Sequence, residues 1–518
     1  TYVDATVGYG FDEAGRLTRL TDTQSGAMTW GYDDANRLSS ETTPQGVVRY
    51  SYNKASQRAT MTAADRPVVT YGYDDAGRIS TIKQGVETFT WAYDDLSRMK
   101  SLSRPNNVTT SYEYDAANKL SRILHANAAS VALEDFKYGY NVDDEIESIE
   151  SLGSSTLLPT ARTVNAADAA NRIPRFGQAA YTFDEEGQTR TKTDNQGTTT
   201  YDWDARGRLA KVTLPNGQVA SYGYDALGRR TGRTAAGLTT NFLYDGQDVV
   251  LDRGTGGLLV DYLNGPGIDN KLRQTSSNFG ALYFLRDHLG STEALTHGTG
   301  GVLERAQYEA YGASANASLT RYGFTGRELD AAAGLIYYRA RWMDSSQGRF
   351  ISEDPIGFSA GEINLYSYVS NNPINYSDPS GNLLFVPIIL GAIGRGAISA
   401  AFEAGAQVAA NWYQGEDLFC LDIGDIAAAG VAGIFLPSVF REGKTILKRG
   451  QDAIKIHKWY WAATSAKSVA KHERRLGGAI EDVLKSVAKI GVSIVGKKAA
   501  KEIVPPVKNK DTCECQDK

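Results

Sequence analysis

The stretch Tyr71-Gly72-Tyr73-Asp74-Asp75-Ala76-Gly77-Arg78 decides how this chain folds. Its two aromatics are two residues apart, so on a strand they share one face. Asp74 to Gly77 then reads as a turn: the aspartate bonds nearby backbone N–H groups and the glycine supplies a positive φ. Arg78 and the Thr-containing residues after it run back as a second strand. The same unit stands at Tyr9-Gly10-Phe11-Asp12 with Gly15 and Arg16, at Tyr201-Asp202-Trp203-Asp204 with Gly207 and Arg208, and at Tyr222-Gly223-Tyr224-Asp225 with Gly228 and Arg229. Its second aromatic recurs eleven times, at Phe11, Tyr32, Tyr52, Tyr73, Tyr93, Tyr114, Tyr140, Phe183, Trp203, Tyr224 and Tyr244. Most steps are 20 or 21 residues; the exceptions are 26 and 43, the latter about two periods.

One such period holds two strands of about seven residues and two turns. The spacing therefore predicts a mainly β fold, one hairpin per repeat, stacked into a long antiparallel sheet with aromatics pairing across strands. A sheet of more than roughly ten strands curls rather than staying open. Strand is expected to dominate up to about residue 320.

Composition bounds the rest. The 518 residues are 42 % hydrophobic and 22 % charged, which excludes wholesale disorder. Three cysteines cannot build a disulfide scaffold, and five scattered histidines do not suggest a His-rich metal centre. No metal site and no cofactor are expected. The chain opens at Thr1 without a charged-then-apolar leader, and an N-terminal portion is expected to precede it. Residues 1–381 hold 36 basic and 46 acidic side chains, a balance of −10, whereas 382–518 hold 19 and 14, a balance of +5. Residues 441–510 alone reach +11, with 17 basic and 6 acidic. An acidic body thus carries a basic tail.

The repeats resemble the tyrosine–aspartate (YD) repeats of the Rhs family, which includes bacterial polymorphic toxins and the C components of insecticidal toxin complexes. The resemblance covers residues 1–381. It implies β-hairpins wound into a hollow shell, or cocoon, around an α-helical C-terminal effector segment.

After residue 250 a different dense pattern takes over. It runs through Leu285-Arg286-Asp287-His288-Leu289-Gly290-Ser291-Thr292, Tyr308-Glu309-Ala310-Tyr311-Gly312 and Phe324-Thr325-Gly326-Arg327-Glu328. It continues with Tyr337-Tyr338-Arg339-Ala340-Arg341-Trp342, Gly348-Arg349-Phe350-Ile351-Ser352-Glu353-Asp354-Pro355-Ile356-Gly357 and Asn371-Asn372-Pro373, and ends at Asp378-Pro379-Ser380-Gly381. In that order the block is similar to the Rhs-repeat-associated core. The resemblance implies an aspartyl autoprotease that detaches the C-terminal segment, with Asp354 and Asp378 as the carboxylates and Arg341 as the third participant.

The residues fit that chemistry. Aspartyl proteolysis needs two carboxylates that share a proton, one activating water while the other protonates the carbonyl. A guanidinium beside them would hold the carboxylates or polarise the scissile carbonyl. Read without the surrounding block, the two Asp-Pro-x-Gly segments are turns in which aspartate caps backbone donors. The family form reads Asp-Pro-x-Gly-Leu with the break after Leu. Here Asn382 takes that place and Leu383 follows, so the expected cut is the 382–383 bond, slowed or shifted by the exchange. Asp287 and His288 lack a matching nucleophile and read as structural.

Beyond Leu383 the texture becomes apolar, with small residues at Gly391, Gly394, Ala397, Ala401 and Gly405 and a second apolar run from Ile423 to Leu436. Pro387 and Arg395 interrupt the first run and the second is short, so an apolar helical pair is expected rather than one stable membrane span. Residues 441–505 read as a basic helical region, with Ile480, Val483, Leu484 and Val487 as its apolar stripe. Its aromatic cluster, Trp459 to Trp461, among cations suits nucleic acid or an anionic membrane surface. His457, His472 and Glu473 are the candidates for toxin chemistry there, in no recognised nuclease pattern. Cys513 and Cys515 are too few to define a metal site.

The expected organisation is a YD-repeat shell (1–250), a core with the autoprotease (251–382), an apolar helical segment (383–440) and a basic toxin candidate (441–518). The expected function is a secreted bacterial effector in which the shell stores and detaches its own C-terminal segment, for interbacterial competition or host intoxication. Expected partners are that segment, a secretion apparatus or adaptor reached through the preceding N-terminal part, a cognate immunity protein, and nucleic acid or membrane as target. The alternative is a non-enzymatic YD-repeat surface or interaction protein.

Overall fold

Strand Glu87–Tyr93 shows the local rule: Phe89 and Trp91 are buried while the alternating Thr90 and Ala92 are exposed. This two-residue alternation, with a turn every ten or so residues, recurs along the chain. The computed structural model describes residues 5–382, apart from 153–156, 158–160, 315–318 and 361. The described residues belong to one unit, Thr1–Arg395. The expected apolar segment 383–440 and basic segment 441–518, including Leu383, His457, His472 and Glu473, lie outside the described residues.

The fold is mainly β. Fourteen strands, from Val7–Phe11 to Ile146–Ser151, pair in sequence order as one sheet. A second set of fourteen, from Arg175–Phe176 to Val302–Arg305, repeats the arrangement. Every pairing is antiparallel, as neighbouring hairpins require. The ladder continues past residue 250 without a break. A four-stranded sheet, Glu328–Asp330, Leu335–Tyr338, Arg341–Asp344 and Arg349–Phe350, follows.

The ribbon divides at the 43-residue step. There Asp168 and Arg172 keep the turn and its 2.7 Å ion pair, but the residues before Asp168 carry no aromatic pair to extend a strand.

The structure explains the repeat more fully than the spacing did. In the unit at Asp74, the carboxylate accepts the backbone N–H of Ala76 (3.1 Å) and Arg78 (2.8 Å) and pairs with the Arg78 side chain at 2.7 Å. Arg78 then lies over the ring of Tyr93, 4.4 Å from its centroid, in the next unit. The Tyr93 hydroxyl donates back to the carbonyl of Ile79 at 2.8 Å. Asp33–Arg37–Tyr52, Asp94–Arg98–Tyr114 and Asp204–Arg208–Tyr224 repeat this link. The sequence reading expected ring-on-ring pairing. Instead most hairpins are tied to the next by an arginine, with Lys119 in that place against Tyr140 and glutamines at Gln57 and Gln188, because the 20–21-residue period sets one turn's cation on the next hairpin's aromatic face. The register also shifts by one residue at the second aromatic, as at Gly31/Tyr32, Gly72/Tyr73 and Gly223/Tyr224. Such bulges bend and twist a strand and re-aim its side chain.

The two ribbons pack through their hairpin ends at a near-constant sequence offset. Arg206 meets Asp22 with two bonds of 2.9 and 3.1 Å, 184 residues apart. Arg229 meets Glu41 at 2.6 Å, 188 apart. Asp245 accepts from Arg58 at 2.6 Å, 187 apart, and Asn106 bonds Thr296, 190 apart. The second ribbon therefore follows the first, turn upon turn. One apolar cluster joins them, with Val48, Phe89 and Trp91 from the first and Leu243, Leu251 and Leu272 from the second.

Candidate functional site

The four-stranded sheet places Arg341 at the start of a fully buried strand, Arg341–Asp344. Asp354 follows in a turn fixed at both ends. Its N–H donates to the Leu365 carbonyl (3.0 Å), and its own carbonyl accepts the Gly357 N–H (2.9 Å). Asp378 opens the turn that leads to Asn382. Its Oδ1 accepts the N–H of Gly381 (2.9 Å), the N–H of Asn382 (3.1 Å) and the hydroxyl of Ser380 (3.0 Å).

The structure brings the three expected residues together. Arg341 Nη2 lies 2.9 Å from Asp354 Oδ2 and 3.4 Å from Asp378 Oδ2. Its Nη1 donates to the Leu365 carbonyl at 3.0 Å, and its Nε donates to the carbonyl of Gly381. The guanidinium carbon sits 3.7 Å from the centroid of the Phe350 ring. All three charged side chains are buried. One guanidinium thus holds both carboxylates and also a backbone carbonyl in the turn that ends at Asn382.

Burial pushes the Asp354 carboxyl up to about 6 and Asp378 adds to the rise, against the pull of Arg341 and the Ile356 N–H. Burial also pushes the Arg341 guanidinium below its ordinary value, opposed by the two carboxylates. Asp354 therefore keeps its proton up to about pH 6, well above the ordinary carboxylate range, the condition under which one carboxyl of such a pair can act as an acid.

Gly381 is required by the geometry. Its φ is +75°, and an added Cβ would lie 2.2 Å from the Tyr338 carbonyl oxygen and 3.0 Å from the Arg341 nitrogen. Asn382 is partly buried, and its Oδ1 is buried without a hydrogen-bond partner among the described residues. Asp287 and His288 sit elsewhere: His288 is buried against Tyr138 and its Nε2 donates to the Ile374 carbonyl at 2.8 Å. Among the described residues no group of His, Cys, Asp and Glu could hold a metal ion, and no helix is long and apolar enough to cross a membrane.

Sequence reasoning missed Phe350 beneath the guanidinium, and it missed Arg339 and Ala340. Arg339 donates to the Pro379 carbonyl and Ala340 N–H to the Ser380 carbonyl at 3.1 Å. Arg339 and Ala340 form the turn between strands Leu335–Tyr338 and Arg341–Asp344, with Arg339 at a φ of +61°, so no strand periodicity singled them out.

The teneurin YD-shell model matches residues 59–149 and 134–374, and the RHS repeat model matches 11–48 and 32–68. The tRNA3(Ser)-specific nuclease WapA of Bacillus spizizenii is 30 % identical over 245 residues, covering 45 % of this chain and 10 % of that protein. Toxin subunit YenC1 of Yersinia entomophaga is 32 % identical over 219 residues, covering 35 % of this chain and 22 % of that one. The chain thus spans about a tenth of the length of the first curated relatives it matches. The crystal structure of TcdB2-TccC3 shares the fold, with a TM-score of 0.55 at 17 % identity over 73 % of this chain and 26 % of the other. With the repeat, its arginine links and the core block in place, the chain belongs to the teneurin YD-shell and RHS-repeat family.

Proposed function

We propose that this chain is the storage and release portion of an Rhs-type toxin: a β-shell that encloses its own C-terminal segment and cuts itself free of it. The observation that carries the reading is the convergence of Asp354 and Asp378 on Arg341, directly against the turn that ends at Asn382. In the cut, Asp378 takes a proton from water and protonated Asp354 supplies one to the scissile carbonyl. The water oxygen bonds to the carbonyl carbon of Asn382; Asp378 then passes its proton to the Leu383 nitrogen as that C–N bond breaks, and a hydroxyl of the intermediate returns a proton to Asp354, leaving a carboxyl and an amine. Turn-on-turn packing of the two ribbons suits a wall that closes around cargo. The effector is read as a secreted one, acting between bacteria or on a host, with an immunity protein and a delivery apparatus as partners. The names of the WapA relatives support a nuclease as cargo, and YenC1 and TcdB2-TccC3 support delivery as part of a toxin complex.

The alternative, a YD-repeat interaction protein with no cut, has its own support, because both carboxylates already cap turns: Asp354 on Ile356 and Asp378 on Gly381 and Asn382. Asp354→Asn and Asp378→Asn separate the two readings. Each should leave a single 518-residue chain where the wild type yields a body and a tail, with unchanged circular dichroism. If the variants are cut like the wild type, the carboxylate pair is not the protease.

A further inference from the structure

Three consecutive residues grip three consecutive carbonyls. Arg339 donates through Nη1 to Pro379, Ala340 through its N–H to Ser380, and Arg341 through Nε to Gly381, each pair 40 residues apart. The two stretches therefore run side by side in a fixed register. A slip of one residue would break all three bonds at once.

Two of the grips come from arginine side chains of different standing. Arg341 also touches both carboxylates of the candidate protease. Arg339 touches neither in the hydrogen bonds and ion pairs it makes. Its guanidinium is anchored behind the turn: Nη2 reaches Asp269 Oδ1 at 2.7 Å and the Gln247 carbonyl at 3.1 Å, and Nη1 reaches Asp269 Oδ2 at 3.0 Å. Asp269 lies in the loop between strands Leu259–Asn264 and Lys271–Ser276 of the second ribbon. A second arginine, Arg327, shares Asp269 at 2.5 Å and donates through Nε and Nη2 to the Tyr337 carbonyl, at 3.1 and 2.8 Å. Asp269 and Arg327 are buried and Arg339 is nearly so. Arg339 holds a backbone φ of +61°, a left-handed conformation that is unfavourable for a residue with a Cβ and persists only where its surroundings enforce it.

We infer that Arg339 is a positioning residue that sets which peptide bond is presented to Asp354 and Asp378, and that Asp269 holds it, so that the cut depends on the second ribbon having folded. The inference rests on the self-cleavage reading above. It goes beyond that reading by naming what fixes the register and what ties cutting to completion of the body. Until the loop carrying Asp269 is in place, Arg339 has no bidentate partner, and Pro379 loses one of the turn's three anchors. A chain that cut before its wall was built would release its cargo unenclosed.

The test uses the full chain with Arg339→Ala, Arg339→Lys and Asp269→Asn, reading both the rate and the position of cutting by intact mass under non-acidic conditions. The wild type should be cut at one bond. Arg339→Ala should cut more slowly, on the order of 100-fold for a misplacement of about 1 Å, and at more than one neighbouring bond. Ethylguanidinium added to Arg339→Ala should restore both the rate and the single position, which a merely structural defect would not allow. Arg339→Lys keeps a charge beside Asp269 but cannot bridge it to Pro379 with a planar fork. It should fold and still cut at mixed positions, so the test survives if the alanine variant fails to fold. Asp269→Asn should behave like Arg339→Lys. If the wild type is cut and both Arg339 variants cut at the same single bond and rate, the positioning role is wrong while the self-cleavage reading stands. If the wild type is never cut, both fall together.

Discussion

The same motif arginine should be worth very different amounts at two places in the ribbon. Arg78 and Arg229 occupy equivalent positions in their repeats, each paired with the aspartate four residues before it at 2.7 Å. The Arg78 side chain is 28 % exposed and that of Asp74 25 %. Replacing Arg78 with Met removes a partly solvated ion pair, about 0.2–1 kcal/mol, and a cation–π contact on Tyr93 of roughly 0.5–1 kcal/mol. The expected loss is about 1–2 kcal/mol.

Arg229 is different because the other ribbon adds a second carboxylate. Its side chain is 5 % exposed, Asp225 is 4 % and Glu41 is 6 %. Arg229→Met strands two buried carboxylates, and breaking such a cluster from one side costs about 3–5 kcal/mol. Urea unfolding of the full chain, followed by tryptophan fluorescence, should show Arg229→Met losing at least twice as much as Arg78→Met. Glu41→Gln in the Arg229→Met background should recover part of the loss, since it removes one stranded charge. Equal losses at the two positions would mean that the ribbons do not pack on each other through Arg229 and Glu41, and the turn-upon-turn arrangement would be refuted.

Four further outcomes follow. Because Asp354 is raised to about 6 and acts as the acid, the cutting rate should fall about tenfold per pH unit above that value; a rate that rises through pH 6 would reverse the roles of Asp354 and Asp378. The same shift bears on stability. The protonated carboxyl is the form the fold prefers, so the Asp354 contribution is fully present below 3.8 and is lost as pH rises through about 6, an amount of about 3 kcal/mol for some two units. Gly381→Ala should abolish cutting, because its Cβ meets the Tyr338 carbonyl and the Arg341 nitrogen and pushes the turn away from the carboxylates; a normally cut alanine variant would show that the turn can move aside. Cleaved body and tail should co-elute at high salt, since exposed charge pairs are screened within about 8 Å and enclosure must do the holding; a tail stripped by moderate salt would lie outside the body.

Much of this was legible in the residues. Asp74-x-x-Gly77 announced a turn, and the eleven-fold recurrence announced hairpins in series, because both are local and periodic. The link from Arg78 to Tyr93 was not read, although the period contains it, since strand pairing suggested rings against rings. The contacts of Arg206 with Asp22 and of Arg229 with Glu41 could not be read at all. Their partners lie more than 180 residues away, and only the coiling of the ribbon sets them face to face. At the site, Asp354, Asp378 and Arg341 were read from resemblance to the core block and do converge in space. Arg339 and Asp269 were missed because their importance lies in the shape of a loop 70 residues upstream, and neither belongs to a pair that spacing would single out.

The measurement that tests the account most directly is the intact mass of the purified wild-type chain, denatured without acid so that Asp-Pro bonds survive. The account predicts two polypeptides, a body ending at Asn382 and a tail of 136 residues beginning at Leu383, both from a single native peak. One uncut chain of 518 residues would contradict it, and the carboxylates around Arg341 would then be the closing clasp of a YD-repeat body rather than a protease.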